Sequence, residues 1–379
     1  MMMKMRNLFL GALLIIGGGS KGLLASSLEQ GTYFHYSAQD LSPLSNLKGF
    51  GEMNPLDLLT WDKKIFDLIR KARPGGAETA EYLAYLMVAQ RDAAILTLRL
   101  RGSFQGSLLP TTRSVACLFF PKGCRVFGDK TRDDFSEKLA DLVVMKIKYR
   151  MREDEKGRRG YPLKRGVDSW WGQEPFIGRE VGSWQPWFLK SPGQYRAPQP
   201  PLPGSKMNQQ LAAVRASLAQ ITGPQKKAVL YWAMGRGSET PAGYWLGVAD
   251  DALEVSKASL EQALRVRFIL STSIADTNIA VFDSKYTYWT KRPFMLDPTL
   301  KTILPTPNHP SYPAGHGAVA GVASTVLAHF FPDQKDRWLQ LASECRNSRL
   351  WGGIHFPTDN EQGFRLGAKV ANWTIRQAH

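Results

Sequence analysis

Along much of the chain, apolar residues return every three or four positions, and the runs are separated by connections rich in Pro and Gly. That period puts the apolar side chains on one face of a helix. Leu83, Ala84, Met87 and Ile95 carry it through Thr79–Leu100. Asn54 followed by Pro55, an N-cap and a first helical residue, opens an amphipathic run to about Ala72. Asp133–Arg152 is acidic at its start and basic at its end, as the helix dipole favours. In the second half, Pro224–Met234, Asp251 to about Phe282, His316–Phe331, Asp333–Ser348 and Asn360–Arg376 all read as helices. Period-two alternation is almost absent, and nothing repeats at a fixed interval. The expected fold class is all-α, a helical bundle or a pair of bundles.

Ser183–Gly204 holds Pro186, Pro192, Pro198, Pro200, Pro201 and Pro203, so it cannot be helical throughout. It divides the chain into an N-terminal helical region (26–182), a Pro-rich linker (183–205) and a C-terminal bundle (206–379). Residues 1–25 read as a signal peptide. Lys4 and Arg6 precede the apolar run Leu8–Ile16, and Ala25-Ser26-Ser27 supplies small residues for cleavage. The apolar run is too short to span a bilayer, which takes roughly 20 residues. The expectation is a periplasmic or secreted protein with no transmembrane span.

Lys plus Arg total 49 against 33 Asp plus Glu, a net charge of +16, which favours anionic partners. No base-stacking or phosphate-loop motif accompanies the charge, so no nucleic-acid partner is expected. Of the three cysteines, Cys117 and Cys124 bracket a short loop and are placed to pair in an oxidising compartment. Cys345, in a helical run, reads as a small buried apolar residue.

The chemistry is concentrated near the C-terminus. Lys285 is followed, seven positions on, by Arg292-Pro293; His309-Pro310-Ser311-Tyr312-Pro313-Ala314-Gly315-His316 comes next; then Ser348-Arg349, His355 and Asp359. Lys285, Arg292 and Arg349 have no acidic run beside them, and burying three cations together is costly unless an anion neutralises them. Arg offers a donor fork suited to tetrahedral oxyanions, and Lys a point charge. Gly315 lets the backbone come close, and the helix opening there adds donors and a favourable dipole. His316 and His355 supply two imidazoles. Asp359 can accept from Nδ1 of His355, leaving its Nε2 free to attack or to bond a central atom.

These segments resemble the tripartite motif of the type 2 phosphatidic acid phosphatase and vanadium haloperoxidase superfamily, Lys-x6-Arg-Pro, Pro-Ser-Gly-His and Ser-Arg-x5-His-x3-Asp. The outer parts match at every fixed position; the middle part reads Pro313-Ala314-Gly315-His316, with Ala314 where the family has serine. The resemblance implies a helical bundle of the haloperoxidase and acid phosphatase type. It implies that Lys285, Arg292, Gly315 and Arg349 hold the oxygens of vanadate or phosphate. His355 would bond vanadium or attack phosphorus, with His316 as acid/base and Asp359 orienting His355. Ala314 would withdraw one donor from the anion.

The long helical N-terminal half and Ala275-Asp276 with Phe282–Tyr286 resemble the soluble haloperoxidase branch. His309 falls where bromoperoxidases carry a second histidine, which implies bromide or iodide as the halide. The function so implied is a vanadate-dependent haloperoxidase acting on hydrogen peroxide and halide. The alternatives are a soluble acid phosphatase cleaving phosphate monoesters through a phosphohistidine, and an inactive anion-binding member of the family.

Overall fold

The computed structural model describes residues 31–45, 47, 56–102, 106–129, 133–202 and 204–378. The expected signal peptide and the Asn54–Pro55 cap lie outside these residues. Among the described residues the backbone forms helices and turns, with two isolated bridges, Ser169–Thr290 and Arg236–Ser238, and no strand. The fold is all-α, as the period predicts.

The first half contains α1 (Leu56–Ala72), α2 (Gly76–Arg101), α3 (Leu108–Phe119) and α4 (Asp134–Gly157). Asp133 caps α4, its carboxylate accepting from the amides of Phe135 and Ser136 at 3.1 and 3.2 Å. The apolar period does not signal α3. Pro110 sits in its first turn, and Arg113 is buried through an ion pair to Glu137 at 2.6 Å, which blurs the apolar face. Cys117 and Cys124 are joined by a disulfide at the end of α3.

The second half contains α5 (Ser205–Ala219), α6 (Gly223–Tyr231), α7 (Thr240–Val255) and α8 (Leu260–Tyr288). They are followed by α9 (Gly315–Phe330), α10 (Lys335–Trp351) and α11 (Pro357–Gln377). The single helix expected over Asp251–Phe282 is corrected to parts of two. Helix α7 stops at Val255, Lys257 takes a left-handed φ of 51°, and Ser259 caps α8 by accepting from the Gln262 amide at 3.1 Å. Apolar spacing continues across this break, so periodicity alone does not reveal it.

The Pro-rich stretch lies along α8. Asp276 accepts from the amides of Trp187, Phe188 and Leu189 at 2.6, 2.8 and 3.0 Å. Arg196 donates to both oxygens of Asp283 at 2.6 and 2.8 Å, and the Ala197 amide donates to Ser284 Oγ at 3.0 Å. One apolar cluster runs from Tyr36 to Ala378 and so includes residues from both sides of this stretch.

Helix α8 packs against α2, α9 and α11. Helices α9 and α11 approach backbone to backbone. A methyl at Gly321, Gly363 or Gly367 would run into the backbone of Phe364, Ala314 and Ala318 respectively. This close contact sets the N-terminus of α9, carrying Gly315 and His316, beside the N-terminus of α11, carrying Asp359. Among the described residues no helix is long and apolar enough to cross a membrane.

Candidate active site

Each part of the motif is delivered by the end of a helix. Lys285 lies in the last turn of α8, which Trp289 ends in a left-handed conformation. Arg292 precedes the single turn Pro293–Leu296, and Arg349 sits in the last turn of α10. Residues Lys285, His309, Gly315, His316, Arg349 and His355 line one cavity of about 400 Å³. Arg292 and Asp359 stand behind it, each bonded to His355. The predicted site residues therefore converge.

The three cations are almost fully buried. Nζ of Lys285 donates to the carbonyls of Pro310 and Ser311, each at 2.8 Å. Arg292 donates to the carbonyls of His309 and Ile354 at 3.1 and 2.8 Å. It also meets Nδ1 of His309 at 3.0 Å and Nε2 of His355 at 3.1 Å. Arg349 bonds the Ser348 hydroxyl at 3.0 Å and the Val229 carbonyl at 3.3 Å. Among the described residues, Asp359 is the carboxylate whose charge acts on Lys285 and Arg292. Burial pushes Lys285 well below its ordinary value, with Arg292 adding to the effect. It pushes Arg292 down to about 9 and Arg349 to about 10, so both guanidiniums keep their charge at neutral pH.

The imidazoles are driven the same way. Burial, then Arg292 and Lys285, hold His355 well below the usual histidine range. Burial and Arg349 do so for His316, against the nearby carbonyls of Ala233 and Trp232. Burial and Lys285 do so for His309. Both pocket imidazoles are neutral near pH 7, and a bound anion would oppose every one of these shifts.

Asp359 has two tasks. Its Oδ2 accepts from the Phe356 amide at 3.1 Å, closing the first turn of α11, and from Nδ1 of His355 at 3.0 Å. The same oxygen accepts from Ser311 Oγ at 2.5 Å, and that hydroxyl lies 3.4 Å from the His355 ring nitrogen. Burial raises the Asp359 carboxyl above its ordinary value, and the Ser311 and Phe356 donors pull it back. Sequence reasoning leaves Ser311 unassigned although it lies inside the middle segment. The signal available is only that a hydroxyl stands between His309 and the Pro-Ala-Gly-His run.

Ala314 is fully buried at the N-cap of α9, and its amide donates to the Asp359 carbonyl at 2.9 Å. With the Ser311 hydroxyl taken up by Asp359, no side-chain donor replaces the missing serine from this segment.

The donor set fits an oxyanion. Among the described residues no group of three or more His, Cys, Asp and Glu could hold a bare metal ion. A methyl added at Gly315 would meet nothing within 4 Å, so the cavity has open space directly above that backbone. Nε2 of His316 is buried without a hydrogen-bond partner. Three further stretches of the cavity wall come from outside the motif. Gly75, Gly76, Ala77 and Glu78 at the start of α2 form one, Ile177 and Gly178 another, and Ala233, Met234, Gly235 and Arg236 with Pro241 and Ala242 a third.

Residues 267–379 match the family model of the PAP2 superfamily. No curated protein matches the chain by sequence. Among solved structures, one described as the first bacterial vanadium-dependent iodoperoxidase aligns with a TM-score of 0.70 and 18% identity. That alignment covers 87% of this chain and 98% of the other. A holo-type bacterial vanadium-dependent chloroperoxidase aligns at 0.60 and 12% identity, over 86% and 93% of the two chains. Residues 267–379 thus match the PAP2 superfamily, and the chain has the all-α fold of the two haloperoxidase structures.

Proposed function

We propose that this chain is a vanadate-dependent haloperoxidase that uses hydrogen peroxide to oxidise halide. The observation that carries the reading is the burial of Lys285, Arg292 and Arg349 around a neutral imidazole with Asp359 as the nearby acid. Such a cluster is stabilised by an oxyanion rather than by internal pairing.

Lys285, Arg292, Arg349 and the Gly315 amide would hold the oxygens of vanadate, and Nε2 of His355 its metal. Vanadate, when bound, supplies a Lewis-acidic centre that polarises peroxide toward attack by halide. Asp359 and Ser311 keep the His355 proton on Nδ1. His316, held neutral by burial and Arg349, is ready to accept a proton from incoming peroxide. The likeness in fold to an iodoperoxidase and a chloroperoxidase supports the haloperoxidase reading. His309, which lines the cavity at the position where bromoperoxidases carry a second histidine, supports bromide or iodide as the halide. The Cys117–Cys124 disulfide supports a site of action in an oxidising compartment outside the cytoplasm.

The test is halogenation of a phenolic dye by peroxide and bromide or iodide, after incubation with orthovanadate. Halide-dependent turnover that vanishes in His355→Ala is the expected result. Cleavage of an aryl phosphate with no dye halogenated would replace this reading by the phosphatase.

A further inference from the structure

The segment between α4 and the Pro-rich stretch carries an exposed tip that the oxyanion site does not use. Every residue from 162 to 168 is exposed. Both ends of the tip are pinned to the C-terminal end of α8. Tyr161 Oη donates to Asp283 Oδ1 at 2.5 Å, and the Trp170 amide donates to the Trp289 carbonyl at 2.6 Å. Asp283 and Trp289 bracket Lys285, so the tip stands on the helix end that delivers that cation.

The tip is apolar where a solvated loop would be polar. Val167 is 90% exposed, Trp171 just beyond the second anchor 66%, and Leu163 44%. A single exposed apolar residue needs no explanation, but a group of them within one short loop marks a contact surface. Basic residues are interleaved with them. From Arg158 to Trp171 the chain has Arg158, Arg159, Lys164 and Arg165 against one acid, Asp168. Arg158 stacks on Trp184, 4.4 Å from the ring centroid. Lys164 and Arg165, between Leu163 and Val167, have no ion-pair partner among the described residues.

We propose that this tip docks the protein on an anionic lipid bilayer. Leu163, Val167 and the Trp171 indole enter the headgroup boundary, which favours rings with an apolar body and one polar N–H. Lys164 and Arg165 meet the lipid phosphates. A soluble polyanion would engage the cations and leave Val167 and Trp171 in water, whereas an acidic bilayer takes up both kinds of side chain. Among the described residues no helix crosses a membrane, so the attachment is peripheral. It holds the end of α8, and with it Lys285, toward the lipid surface.

The test is co-sedimentation of the full chain with vesicles, either of equal parts phosphatidylglycerol and phosphatidylcholine or of phosphatidylcholine alone. Binding to the acidic vesicles, and much less to the neutral ones, is expected. Each Lys or Arg near an acidic leaflet strengthens binding about fivefold, so Lys164→Glu with Arg165→Glu should weaken it at least about tenfold. The same reversals at exposed Lys226 and Lys301 should weaken it far less. Val167→Ser with Trp171→Ser, which leaves the charge unchanged, should weaken it several-fold. All these positions are exposed, so the fold tolerates the changes. No binding of the native protein to acidic vesicles overturns the proposal. Equal losses in the tip and the Lys226 and Lys301 variants also overturn it, because the overall charge of +16 would then be what adsorbs. Undiminished binding after Val167→Ser with Trp171→Ser overturns it as well, leaving a site for polyanions alone. Because no turnover is involved, the outcome is independent of the halide assay.

Discussion

Nη1 of Arg292 lies 3.1 Å from Nε2 of His355. A guanidinium has no acceptor, so Nε2 carries the lone pair and the ring proton sits on Nδ1. There it meets Asp359 Oδ2 at 3.0 Å. Neighbours on opposite sides of the ring impose the same tautomer, the one that leaves the lone pair on Nε2.

Asp359→Asn should reverse it. The amide donates where the carboxylate accepted, driving the proton to Nε2. Orthovanadate affinity, read by calorimetry, is expected to fall about 10–100-fold, as for other partners that orient a ligating histidine. Ser311→Ala should act in the same direction but less, since the Phe356 amide still supports Asp359. An Asp359→Asn protein binding orthovanadate like the native one would contradict this tautomer assignment.

Arg349→Met should separate stability from binding. The guanidinium is buried on a hydroxyl and one carbonyl, without a carboxylate. Replacing even a buried ion pair by apolar side chains of similar volume is often neutral or stabilising by about 1–4 kcal/mol, and Arg349 has no carboxylate attraction to lose. Urea unfolding without anion should show the variant at least as stable as the native protein. With orthovanadate present the native protein should gain stability and the variant should not.

The N-terminal half carries its own titration. Glu81 on α2 is buried, 3.4 Å from Trp187 Nε1, and burial followed by Asp154 pushes its carboxyl up to about 7. The folded-state value lies above the unfolded one, so this group's contribution is fully present below about pH 4.5 and is lost as pH rises through about 7. Ionising Glu81 at pH 8 costs about 3 kcal/mol at one pKa unit per 1.4 kcal/mol. Glu81→Gln should therefore raise stability at pH 8 by about 2–3 kcal/mol and leave it nearly unchanged at pH 4.5. Equal shifts at both pH values, measured by urea unfolding, would contradict the assignment.

The oxyanion cluster is legible in the sequence because its residues are tied to helix ends, where spacing is rigid. Lys285 to Arg292 spans the end of α8 and the turn beyond it, and His355 to Asp359 is the first turn of α11 with its approach. Ser311 is not legible, because one hydroxyl in a loop has no periodic partner to mark it. The walls at Gly75–Ala77 and Ile177 are hidden for a different reason. They reach the cavity through the packing of α2 on α8 and through the 158–197 segment pinned by Asp276 and Asp283. Those contacts join residues at least 87 positions apart. The break between α7 and α8 is invisible to apolar spacing and is written only in Lys257 and the Ser259 cap.

Calorimetric titration of the full chain with orthovanadate tests the oxyanion site on His355 most directly. The expected result is saturable binding of one orthovanadate per chain, competed by inorganic phosphate and lost in His355→Ala. No binding at millimolar orthovanadate, or undiminished binding in His355→Ala, would contradict it.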